Sequence, residues 1–153
     1  FVAMETWYAP LASEQIQINA AESAMWRRIR GVREAIGPEL ERLRREGAIG
    51  SSLAAEVVLE ASGQLADDLS QVGDELRFVF LTAAVRLDDV TDADLVTEVE
   101  GESLKAALIV SESDKCTRCW HHSPSVGANE NHPELCARCV ENIEGAGEVR
   151  QWG

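Results

Sequence analysis

Two C-x-x-C pairs constrain this chain more than any other feature: Cys116-Thr-Arg-Cys119 and, after sixteen intervening residues, Cys136-Ala-Arg-Cys139. They account for all four cysteines in 153 residues. Each pair fits a tight turn that points both sulfurs at one metal. Two pairs at this separation have the ligand count and spacing of a tetrahedral four-cysteine zinc site. The competing reading is two disulfides, but a C-x-x-C bridged to itself is usually a redox-active dithiol, and two adjacent ones make an unusual framework. Four thiolates fill the coordination sphere. The spacing therefore predicts one structural zinc on Cys116, Cys119, Cys136 and Cys139, with no open position for a catalytic water. Metal would substitute for the core that a segment of ~40 residues cannot build.

Residues beside the cysteines narrow the chemistry. Trp120 follows the second ligand directly, with Lys115 and Arg118 beside it and Arg138 inside the second pair. A tryptophan there is either core, packed over the knuckle, or a presented stacking surface. With arginine on its flank the stacking reading is favoured, since a stacked base contributes ~1–3 kcal/mol. Arg118 and Arg138 either contact nucleic acid or neutralise a dianionic zinc–tetrathiolate centre, and the two roles are compatible. His121, His122 and His132 are surplus as ligands and are expected at the surface. A site of three cysteines and one histidine is the minor variant.

Upstream, Met25, Ile29, Val32, Ile36, Leu40 and Leu43 recur every three or four residues, which predicts an amphipathic helix over about 20–46. Gly37-Pro38 predicts a kink or a break into two helices, and Gly47 or Gly50 the stop. Arg27, Arg28, Arg30 and Arg33 lie mostly off the apolar stripe, either as a phosphate-contacting cluster or as a solvated face. Residues 49–113 read as mixed α/β. A short strand falls near 56–60, a helix of about four turns marked by Leu65, Leu69, Val72, Leu76 and Val79 follows, and strands lie at 84–87 and 104–110. The acidic stretch 88–101 reads as a surface loop. The acid pairs Asp67-Asp68 and Asp88-Asp89 read as solvating, 111–114 as a hinge, and Trp152 as packing on the finger. The fold class is thus α+β, with a helical segment over 1–48, a small α/β subdomain over 49–113 and a four-cysteine finger over 114–153.

The formal net charge of −13 argues against nucleic-acid binding unless the charge is segregated. Residues 1–46 hold seven acids and seven bases, 47–114 fifteen acids and three bases, and 115–153 five acids and four bases. A phosphate-facing surface is therefore expected on the first helix and the finger, with the middle block turned to solvent or to another part of a larger protein. Hydrophobic content of 45% is ordinary for a globular chain. No apolar run approaches the ~20 residues that cross a membrane, and thiolates kept for metal suit a reducing compartment. A cytoplasmic monomer without membrane association is the expectation.

The runs Lys-Cys-Thr-Arg-Cys-Trp-His-His (115–122), Leu-Cys-Ala-Arg-Cys-Val (135–140) and Gly-Glu-Val-Arg (147–150) resemble the C-terminal zinc finger of the bacterial isoleucyl-tRNA synthetase family. The resemblance extends upstream through Thr-Trp-Tyr (6–8), Val-Arg-Glu (32–34), Ile-Gly-Ser-Ser-Leu-Ala-Ala (49–55) and Gly-Asp-Glu-Leu-Arg-Phe-Val (73–79), in the order that family shows. It implies that the four cysteines are zinc ligands and that Arg118 and Trp120 approach the anticodon of isoleucine tRNA. It also implies that 1–48 is the end of a helical anticodon-binding domain. The His-x-Gly-His and Lys-Met-Ser-Lys-Ser signatures that handle ATP in that class do not occur here. The expectation is the C-terminal piece of a larger enzyme, one that binds tRNA while ATP chemistry stays in a catalytic core outside this chain. Two other classes remain. One is the finger of a formamidopyrimidine-type DNA glycosylase, although those fingers usually carry glycine where this chain has Trp120. The other is a purely structural zinc module, which the acidic total favours.

Overall fold

The computed structural model describes residues 19–152. The first of the matching motifs, 6–8, lies outside them. Helix α1 (Ala20–Arg45) begins at Asn19, whose side chain accepts a hydrogen bond from the Ala21 amide, as an N-cap should. It ends in a Schellman arrangement. Gly47 adopts φ +75°, its amide donates to Arg44 O, and the Ala48 amide donates back to Leu43 O. The apolar stripe is real: Met25, Ile29, Val32 and Ile36 are all buried.

The predicted break at Pro38 does not occur, and α1 is a single helix through that position. The residue before a proline is normally pushed out of helical geometry by its own side chain, and Gly37 has none. Packing of Ile36 and Leu40 on either side then holds the helix together.

A four-stranded sheet lies under α1. Strand β1 (Ala55–Ala61) pairs parallel with β2 (Ala84–Leu87) and antiparallel with β4 (Glu102–Val110), which pairs antiparallel with β3 (Leu95–Val99). One face is apolar: Val57, Leu59, Val85, Val99, Leu104 and Ala106 join the α1 stripe in a single core. At its tightest point Gly31 approaches β3 so closely that a Cβ there would stand 2.7 Å from Val99 Cγ1. The opposite face is polar and carries cross-strand pairs such as Lys105–Glu60 at 2.7 Å.

Two expectations are corrected in this segment. The four-turn helix is interrupted: α2 (Gly63–Val72) stops where Gly73 takes φ +56°, and after one 3-10 turn α3 (Leu76–Phe80) resumes. A glycine in that conformation ends a helix while its apolar residues stay in register, so Leu65, Leu69, Val72 and Leu76 are all buried. The acidic stretch 88–101 is not all loop, since β3 lies inside it. Glu100 and Gly101, both at positive φ, turn the chain into β4 as a two-residue hairpin does.

Asp68 is likewise not a solvating acid. It is buried on α2, where it accepts from Arg28 of α1 and from the side-chain Nε2 of Gln64. The charge segregation has a structural reason. Arg27, Arg28 and Arg42 of α1 pair with Glu100, Asp68 and Asp94 of the acidic block, tying the helix across the sheet and to α2.

Candidate metal centre and nucleic-acid interface

The first cysteine pair sits on a knuckle closed by backbone bonds. The Cys116 amide donates to His121 O at 3.0 Å and the Trp120 amide to Cys116 O at 2.9 Å. The second pair opens α4 (Ala137–Glu144): Cys136 is its N-cap residue and Cys139 lies in the first turn, where the helix dipole favours a thiolate. This helix was not foreseen. Its signal was weak, because the turn carrying Cys136 and Cys139 masks the start of an eight-residue pattern.

The four sulfurs lie within 4.8 Å of one another, and Cys119 Sγ stands 3.7 Å from Cys136 Sγ. Two ligands each ~2.3 Å from a tetrahedral zinc are separated by about 3.8 Å, so the spacing fits the ion. The histidines do not enter the cluster. Cys116, Cys136 and Cys139 are buried, and Cys119 is partly so. Burial pushes the Cys139 thiol up to about 12 and raises that of Cys136. Burial also opposes ionisation of Cys116, yet the amides of Cys119, Cys136 and Arg118 bring its thiol down to about 6. Four ionised sulfurs this close need a cation among them, and a divalent ion supplies it. The apolar content around them is slight, with Leu135 and partly buried Val126 and Val140.

Cationic groups surround the cluster. Arg118 Nη1 reaches Cys139 Sγ at 3.7 Å, while Arg138 is bonded to Glu148 at 3.0 Å. Trp120 is turned outward: it is 60% exposed, takes φ +67°, and has Lys115 Nζ 5.1 Å from its ring centroid. The histidines are engaged rather than free at the surface. His122 Nδ1 bonds Ser113 O at 2.7 Å and His132 Nε2 bonds Glu144 at 2.7 Å. His121 lies edge-on to Phe78, and burial with three neighbouring arginines lowers its pKa.

The α1 arginines are divided. Arg27 and Arg28 are bound to carboxylates, whereas Arg30 and Arg33 are exposed and form no ion pair among the described residues. Arg27 and Arg30 line one cleft with Glu98 and Glu100, and Trp120 lines another with Lys115 and His122. The structure does not bring the two predicted clusters into one groove.

The finger docks on the α/β body through contacts the sequence did not announce. The His122 amide donates to Leu53 O, and Phe78 of α3 receives the guanidiniums of Arg138 and Arg150 over its ring. Trp152 packs on the body instead of the finger. It meets Trp26 edge-on at 6.0 Å, and its amide and that of Gln151 donate to Glu75. The reason is reach: the tail after α4 leaves the small finger and finds its nearest large apolar surface on α1.

Residues 113–142 match a family described as a zinc finger found in FPG and IleRS. The finger is similar to that family over those residues. One structural zinc is its cofactor, as the four clustered sulfurs of this zinc finger require. Beyond the finger, the chain is similar over nearly all its length to isoleucine–tRNA ligases. It is 50% identical over 134 residues to that of Halorhodospira halophila, covering 85% of this chain and 14% of the relative. It is 43% identical over 154 residues to that of Pseudoalteromonas atlantica, and 42% over 153 residues to that of a Shewanella species, each covering 99% of this chain and 16% of the relative. The chain thus spans about one-sixth of the length of the curated relatives it matches. Similarity upstream of the finger favours the ligases over the glycosylase alternative. No helix among the described residues is long and apolar enough to cross a membrane.

Proposed function

We propose that this chain is the C-terminal tRNA-binding region of an isoleucine–tRNA ligase and helps hold the anticodon stem-loop of isoleucine tRNA. In this reading Cys116, Cys119, Cys136 and Cys139 hold the zinc, and residues 1–48 end the anticodon-binding domain. Residues 49–113 join that domain to the finger. ATP and isoleucine are handled by a catalytic core elsewhere in the parent enzyme, in the cytoplasm. Trp120 is the stacking surface and Lys115 and Arg118 supply nearby charge. Arg30 and Arg33 are the α1 residues best placed to meet phosphate, since Arg27 and Arg28 already hold carboxylates.

The observation that carries the proposal is Trp120. A bulky residue in the left-handed region costs about 1–2 kcal/mol relative to glycine, and this one leaves most of its ring in solvent. A core role would bury it, and a knuckle alone would favour glycine. Strain kept at an exposed aromatic points to a ligand for that ring.

The test is Trp120→Gly in the parent ligase. Zinc content should stay at wild-type level, because glycine suits the backbone there. Affinity for isoleucine tRNA should fall by about 1–3 kcal/mol. Unchanged affinity with zinc retained would leave the finger as a clamp between domains, which is the reading that the contact of Arg118 with the Cys139 sulfur favours.

A further inference from the structure

We propose that the cleft between α3 and the finger seats a phosphate of the RNA backbone, with Arg77 as its main ligand and Arg138 and Arg150 as flanking charge. The inference rests on the tRNA reading above and extends it to a second contact. Three guanidiniums crowd one aromatic ring: Arg150 lies 4.1 Å, Arg77 4.8 Å and Arg138 5.0 Å from the centroid of Phe78.

Such a stack is neutral glue only if anions balance it, and the dianionic zinc–tetrathiolate centre is one of them. Here Glu148 serves both Arg138 and Arg150, at 3.0 and 2.8 Å. Arg77 has no hydrogen bond or ion pair to a carboxylate among the described residues. Unmet bonding capacity gathers at the same place: Arg150 Nε and both ring nitrogens of His121 are buried without a partner. Buried polar atoms are nearly always satisfied, so a cluster of such exceptions marks a missing partner.

Glu148 and the dianionic zinc–tetrathiolate centre offset Arg118, Arg138 and Arg150, which leaves Arg77 as the guanidinium of the stack without an anion beside it. A guanidinium carries its N–H donors in one plane, which suits two-pronged recognition of phosphate. The cleft is about 220 Å³; Arg77, Arg138, His122 and Ser123 line it together with the ligands Cys119 and Cys136, and Arg150 is not among its lining residues. His122 lines the Trp120 cleft as well. The two clefts are therefore neighbours, and a strand stacked on Trp120 has a route toward Arg77.

The experiment uses the zinc-loaded parent ligase and transcribed isoleucine tRNA, with affinity measured across a salt series. Arg77→Gln should weaken binding about tenfold, as loss of a charge-assisted contact does, and lower the magnitude of the salt slope by about 0.7. Arg77→Lys should restore the slope and part of the affinity. Zinc content and amide protection should match wild type in both. Wild-type affinity and slope for Arg77→Gln, with Trp120→Gly weakened, would overturn the phosphate seat and leave the tRNA reading standing. Weaker binding accompanied by lost zinc or lost protection would make the stack structural glue and also overturn the seat. Wild-type affinity for both Arg77→Gln and Trp120→Gly, with zinc retained, would overturn both.

Discussion

Single side chains decide most of the chemistry here, and Asp68 is the clearest case outside the finger. Its carboxylate is 5% exposed and its partner Arg28 16% exposed, with the Gln64 side-chain amide completing the site. Removing one member of such a pair leaves the other charge desolvated and unpaired. Asp68→Ala should therefore destabilise the chain by about 3 kcal/mol in denaturant titration, near the lower end of the range for buried pairs because Arg28 keeps some water. Arg28→Met with Asp68→Leu should recover much of that loss, since well-packed apolar residues often replace a buried ion pair without penalty. A drop below 1 kcal/mol for Asp68→Ala would show that Arg28 swings out to solvent. Position alone could not reveal this residue. Asp67 and Asp68 are identical neighbours in sequence, and the helix phase buries one while exposing the other.

Elements differ in how plainly the sequence declares them. Helix α1 was legible because six apolar residues keep one phase, and β1, β2 and the core of β4 because their runs are short and β-branched or alternating. Strand β3 was obscured by acids at 88, 89, 92 and 94 and by its own composition: burial alternates along Leu95–Val99, but Val96 is apolar on the exposed face, so apolar and polar residues do not alternate. The interruption at Gly73 was hidden because apolar residues keep helical spacing across it. The clustering of the four cysteines was legible from their spacing, whereas α4 was not, and the Phe78 stack joins residues from three places that no local pattern links. The finger's small apolar cluster implies that metal carries its stability. Chelation should strip amide protection from residues 116–144 while the sheet and α1 keep theirs, as hydrogen exchange would report. Uniform loss of protection across both would mean that finger and body unfold as one unit.

The whole molecule is a body with one continuous core and a metal-built appendage. Its acidic block is not idle surface, because part of that charge anchors α1 through Glu100, Asp68 and Asp94. Purified chain should show no isoleucine-dependent pyrophosphate exchange above a blank without enzyme, given the absence of the ATP-handling signatures. Measurable exchange would place catalysis where the proposal puts only grip. The finger is also pinned at both ends: Ser111 bonds Ala54 O and Glu56 where the chain enters, and Glu75 holds Gln151 and Trp152 where it leaves. A segment fastened in this way has already lost much of the freedom that ring closure would take from it. After demetallation the four sulfurs remain on a tether of fixed span, so recapture of zinc is a local search near the body.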